Sequence, residues 1–130
     1  MRYGKMLAGI AGAFLTLALA GTAWSHHSAA QFDFGNTVEV SGTVKYVRFA
    51  NPHAKIILEV TDEARGTRDI EFEGHSRNNM IRQGLTPEMM AVGDTIRIRI
   101  APMRDGADGG YITGLRMKDG RLVGNVTGAD

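Results

Sequence analysis

The sequence predicts a mainly β protein. The expected fold is a five- to six-stranded barrel of the OB type, with a short helical connection between strands 3 and 4, preceded by a signal-peptide helix. Three observations predict it. Apolar and polar residues alternate in runs of strand length. A stretch with helix caps and no such alternation follows the third run. Two further strand-like runs come after it, and three strands, a helical connection and two strands is the order of an OB barrel. A small open sandwich is the alternative.

The first strand is read from Val38, Val40, Val44 and Tyr46, which alternate with Glu39, Ser41, Thr43 and Lys45. Gly42 falls on the apolar face, a sign of strong coiling or a bulge. Val47 and Phe49 take the other parity, which places a bulge near Tyr46. Asn51-Pro52-His53 ends the run, because Pro52 cannot donate to a ladder and forces Asn51 to be extended. Ala54, Ile56, Leu58 and Val60 give the second strand. Asp62 to Thr67 is a polar turn, and Ile70 and Phe72 mark the third strand among Asp69, Glu71 and Glu73.

From Gly74 the pattern changes. Ser76 or Asn78 caps a short helix carrying Met80 and Ile81, which ends at Gly84. Thr86-Pro87-Glu88 starts a second helix with proline in its first position. After the Gly93-Asp94 turn, Ile96, Ile98 and Ile100 alternate with Thr95, Arg97 and Arg99. Arg104 to Gly110 is a loop, Tyr111 to Met117 a fifth strand, and Leu122-Val123 a short sixth piece.

The N-terminus reads as an export signal. Arg2 and Lys5 precede an apolar run from Met6 to Ala20, short for a membrane span, which needs about 20 residues. Small residues then allow cleavage after Ala20, Ala23 or Ser25. The division is a signal peptide at 1–25, a polar lead-in at 26–36, and the barrel at 37–125. The expected location is the periplasm or the exterior, with no membrane span after cleavage.

Loss of Arg2 and Lys5 leaves 13 Lys+Arg against 14 Asp+Glu, so no strong field for nucleic acid or anionic membrane is expected. The absence of cysteine excludes thiolate catalysis and cysteine-held zinc. No nucleophile elbow, phosphate loop or zincin helix is present, and the sequence predicts no enzyme.

The residues with most chemical scope are histidines. His26 and His27 stand at the expected start of the mature chain, and His53 lies in the Asn51-Pro52-His53 loop. Imidazole and amine nitrogens suit Cu(II). Cleavage after Ser25 gives His26 a free amine for chelation. Cleavage after Ala23 makes it the third residue, a different copper arrangement. A solvated histidine pair, and a His53 that merely hydrogen-bonds its turn, are the plainer alternatives. His75 is expected in a surface or helix-start role. Met80, Met89, Met90 and Met103 are expected to pack rather than bind metal. Lys45, Arg48, Arg97 and Arg99 fall on strands that neighbour each other in an OB barrel. They are a candidate basic patch for an anionic ligand or an acidic partner surface, or an ordinary solvated face.

Several short segments recur together: His26-His27-Ser28, Phe32-Asp33, Gly42-Thr43-Val44, Asn51-Pro52-His53, Arg82-Gln83-Gly84-Leu85-Thr86 and Val92-Gly93-Asp94. In order and spacing the chain resembles a family of small exported proteobacterial proteins of unknown function. The resemblance covers most of the mature chain and implies an exported OB-like barrel, with no activity attached. Leu85 stands where that family leads one to expect tryptophan, and His75 where a small residue is more usual.

The leading expectation is a non-enzymatic binding or accessory domain with copper as a possible cofactor, held by His26, His27 and His53. The alternatives are a metal-free interaction module docking an envelope protein, and a copper-dependent redox enzyme using an N-terminal His26.

Overall fold

The alternation around Gly42 becomes the longest strand, β1 (Val38–Arg48). Its first half pairs antiparallel with β4 (Thr95–Pro102), from Val38↔Ile100 to Thr43↔Thr95. Its second half pairs with β2 (Lys55–Asp62), from Thr43↔Glu59 to Arg48↔Lys55. One strand therefore serves both walls of the barrel, which requires a sharp bend. Two local features supply it. A Cβ on Gly42 would lie 2.6 Å from the Glu59 backbone oxygen, so β1 crosses β2 too closely for any side chain there. The register then slips between Val44 and Tyr46, making Lys45 an extra residue; such bulges bend a strand and increase its twist.

The structure, a computed structural model, describes residues 29–125, and its larger compact unit begins at Phe32. β2 pairs with β3 (Gly66–Glu73), β4 with β5 (Gly110–Arg116), and β5 with β6 (Leu122–Val123), all antiparallel. The sheet order is β3-β2-β1-β4-β5-β6. A parallel pairing, Phe72↔Gly110 and Glu73↔Tyr111, joins β3 to β5 and closes the first five strands into the OB-like barrel. β6 is the additional strand. Among the described residues no helix is long and apolar enough to cross a membrane.

The inward positions of β2 to β5 fill the interior. Ile56, Leu58, Phe72, Ile98 and Ile112 are all buried, with Val44 from β1. β1 obeys the alternation less fully than its sequence suggests: Val38 is 46% exposed and Tyr46 41%. Val38 lies at the strand end where only β4 runs beside it, and the extra residue turns Tyr46 outward while Val47 and Phe49 pack on the core.

The connection between β3 and β4 plugs the barrel. Ser76 caps α1 (Arg77–Arg82) by accepting from the Asn79 amide at 3.3 Å. Met80 is buried and Ile81 is exposed, so a helix this short presents one side chain to the core rather than the expected pair. Gly84 ends it with φ of 85°. Pro87–Met90 is a single 3-10 turn rather than an α-helix, and it buries Met90. Leu85, between the two, is buried as well.

The lead-in contributes to packing. Phe32 forms a bridge with Met103, and the Asp33 amide donates to the Pro102 oxygen at 2.8 Å. The Phe32 and Phe34 rings lie 5.3 and 5.4 Å from the ring of Tyr111. His75, only 4% exposed, stands edge-on to the same ring at 5.3 Å. His75 does stand at the helix start, directly before the cap Ser76, but the surface role expected for it is corrected to a buried one, packed against Tyr111.

Two loops that read as independent turns are clasped together. Arg68 donates to Asp62 at 2.7 Å beside the β2–β3 turn, and to both carboxylate oxygens of Asp108 in the β4–β5 loop at 2.7 and 2.9 Å. These bonds hold both aspartates below their ordinary range. A depressed folded-state pKa means that the contribution is whole above the ordinary carboxylate value and is lost as pH falls from there through the depressed one. The clasp is therefore expected to weaken below about pH 4. Urea midpoints measured at pH 7 and pH 3 check this: the drop between them should be smaller in Arg68→Met than in the wild type.

Candidate functional site

The loop between β1 and β2 is fixed at the barrel rim by backbone bonds. The Ala54 amide donates to the His75 oxygen, the Gly74 amide to the Ala54 oxygen, and the Arg77 amide to the Ala50 oxygen. Asn51, Pro52 and His53 are exposed at its tip, and the Asn51–Pro52 bond is cis.

His53 is the one member of the three-histidine set within the described residues. Its Nδ1 lies 3.2 Å from the Gly74 carbonyl oxygen and 3.1 Å from Glu73 Oε1. Both neighbours are acceptors, so Nδ1 carries the proton. In the neutral ring the lone pair then resides on Nε2. The side chain is 43% exposed, so the ring has an open side. A shallow cavity of about 270 Å³ lies beside it, lined by His53, Ala54, Lys55, Glu71 and Glu73, with Lys55 paired to Glu71 at 2.9 Å.

Glu73 is the residue that sequence reasoning missed. Its place in the Asp69-Glu71-Glu73 series reads as an ordinary solvated face, and nothing local signals that the last of the three meets an imidazole 20 residues away. The β2–β3 register, Lys55↔Glu73, creates that meeting.

His26 and His27 lie outside the described residues, as does the signal segment. Among the described residues no group of three or more histidine, aspartate or glutamate side chains is arranged to hold a metal. Met80 and Met90 are fully buried in the core.

The four basic residues are divided between two regions. Lys45 and Arg48 belong to the half of β1 that pairs with β2, and Lys45 is paired to Glu59 at 3.0 Å. Arg97 and Arg99 lie on β4, where Arg99 is committed to Thr113 Oγ1 at 2.9 Å and Asn125 Oδ1 at 2.8 Å. Glu39 stands opposite Arg99 and accepts two bonds from Arg116.

At the far end of β5 lies a larger groove of about 850 Å³, which the sequence does not reveal. Met89, Ile96, Leu115 and Met117 form its apolar part. Arg97, Arg116, Lys118 and Asp94 stand among its polar lining.

The architecture defines a small closed β-barrel with a histidine-bearing loop fixed at its rim. A family model described as "Family of unknown function (DUF6152)" matches residues 14–113, and the chain belongs to that family. No curated protein matches the chain.

Proposed function

We propose that this is an exported, non-enzymatic binding domain that takes up copper through His53 and the His26-His27 segment. The observation that carries the reading is the fixed His53 ring. Metal-binding histidines commonly donate the non-ligating N–H to a carbonyl or carboxylate, which sets the tautomer and aims the other nitrogen. Gly74 and Glu73 provide both kinds of acceptor on Nδ1. Imidazole nitrogens suit Cu(II), and a free N-terminal amine adds a further nitrogen donor.

Titration of the natively processed protein with Cu(II) tests the reading, with the mature N-terminus identified in the same native mass spectrum. A single tightly held ion is expected. His53→Ala should weaken it by at least about tenfold, and Glu73→Ala by a similar factor through the loss of ring orientation. Unchanged affinity in His53→Ala removes the loop from the site. Binding no tighter than that of a free peptide carrying the mature N-terminal residues ends the metal reading.

A further inference from the structure

We infer that the groove at the far end of β5 is a binding site for a medium-chain alkyl carboxylate. The inference rests on a charge imbalance built into the β4–β5 ladder. Arg97 and Arg116 are direct register partners on neighbouring strands. Like charges in that relation repel, and a carboxylate between them relieves the repulsion. Glu39 supplies only one. Its Oε1 accepts from both Nε and a terminal nitrogen of Arg116, while the nearest contact to Arg97 is 3.9 Å, from Oε2.

Arg97 is held for a second partner. Its Nε donates to Ser41 Oγ at 3.2 Å, which orients the guanidinium, and its side chain is 58% exposed. A guanidinium fixed in this way offers a carboxylate two parallel donors. Lys118 lines the same groove, and no ion pair engages it among the described residues. Asp119 is already taken by Arg121 at 2.7 Å. Three cations, Arg97, Arg116 and Lys118, are thus faced by two carboxylates, Glu39 and Asp94, and the excess of one positive charge favours an anion of single charge over a phosphate or a polyanion.

The remaining surface defines the rest of the ligand. Met89, Ile96 and Met117, with the buried Leu115 beneath them, offer an apolar bed beside the cations, and methionine adapts to flexible chains. The volume is within the range of small-molecule sites, about 300–1,000 Å³. The groove is separate from the His53 loop. Tyr111, next to Glu73, is the second residue of β5, and Arg116 ends the strand about 17 Å away at strand spacing.

The test is titration of metal-free protein with decanoate below its micelle concentration, followed by amide chemical shifts. Decyltrimethylammonium and phosphatidylglycerol vesicles serve as the comparison probes. Saturable shifts are expected at residues 94–97 and 115–118, with Arg97→Gln and Lys118→Gln each weakening decanoate about tenfold. Both substitutions are on the surface and remove no core contact. The proposal is overturned if decyltrimethylammonium binds as tightly as decanoate, if both variants bind decanoate like the wild type, or if the shifts map elsewhere. Vesicle binding without decanoate binding also overturns it, in favour of a membrane surface.

Discussion

Gly42→Val is expected to destabilise the barrel by about 3 kcal/mol or more, the upper part of the range for overpacking. The obstacle is backbone rather than a side chain that can swing away. An added Cβ would meet the Glu59 oxygen at 2.6 Å and the Leu58 and Val60 side chains at 3.0 and 3.2 Å. Relief requires β1 to move off β2 at the point where β1 changes partners, so both walls of the barrel are affected. For a domain of this size such a loss lowers the melting temperature by more than ~10 °C. Thermal unfolding followed by circular dichroism reads it directly. Gly35→Ala is the control, since its Cβ meets nothing closer than 3.4 Å. It should lie within about 0.5 kcal/mol of the wild type. Equal stability of the two variants would show that β1 does not need the close crossing.

Tyr111→Ala is the second large effect, expected to cost about 3–5 kcal/mol. The ring is 1% exposed and is shared by Phe32, Phe34 and His75. Its removal leaves a cavity lined by three rings from two separate segments, the lead-in and the end of β3, and such a site collapses poorly. The loss should have a spatial signature. Amides around Phe32 and the Met103 bridge should exchange faster, because the lead-in then keeps little beyond its backbone bond to Pro102. Core amides of β2 should retain their rank order of protection. Hydrogen exchange combined with urea unfolding reads both parts, and loss of protection spread evenly over the barrel would contradict the assigned role.

Much of the architecture is legible in the residues. Ile56, Leu58, Ile98 and Ile100 alternate because one face of each strand is buried, and each is buried in the structure. The off-parity pair Val47 and Phe49 signals the bulge before any coordinate is seen, and the register slips between Val44 and Tyr46. Less legible is anything decided by contacts distant in sequence. Arg68 reads as one charge among many, yet it joins Asp62 to Asp108, 40 residues further on than itself. His75 reads as a polar residue at a strand end, and only the arrival of Tyr111 shows it to be interior. The difference between an α-helix and a 3-10 turn at Pro87 is likewise set by the short span before Thr95, which leaves room for one turn.

The candidate sites divide in the same way. His53 is visible in the sequence because Asn51-Pro52 puts it in a tight turn. The acceptors on its Nδ1, Glu73 and Gly74, become visible only through strand pairing. In the sequence, only strand adjacency groups the four basic residues. Register and bulge then separate Lys45 and Arg48 from Arg97 and Arg99, and reveal a different neighbour, Arg116.

The parallel pair that closes the barrel holds β3 to β5 at only two register positions, Phe72↔Gly110 and Glu73↔Tyr111. Local opening starts where the fewest backbone bonds must break, so this junction is the weakest line along the barrel wall. His53 leans on Glu73 at that line, and the Arg68 clasp crosses between the same two sides lower down. The rim is thus where local opening is expected first. If the proposed ion sits on His53, it should shift the balance between closed and open forms of the wall, and occupancy should be read as slowed exchange at Phe72, Glu73 and Tyr111.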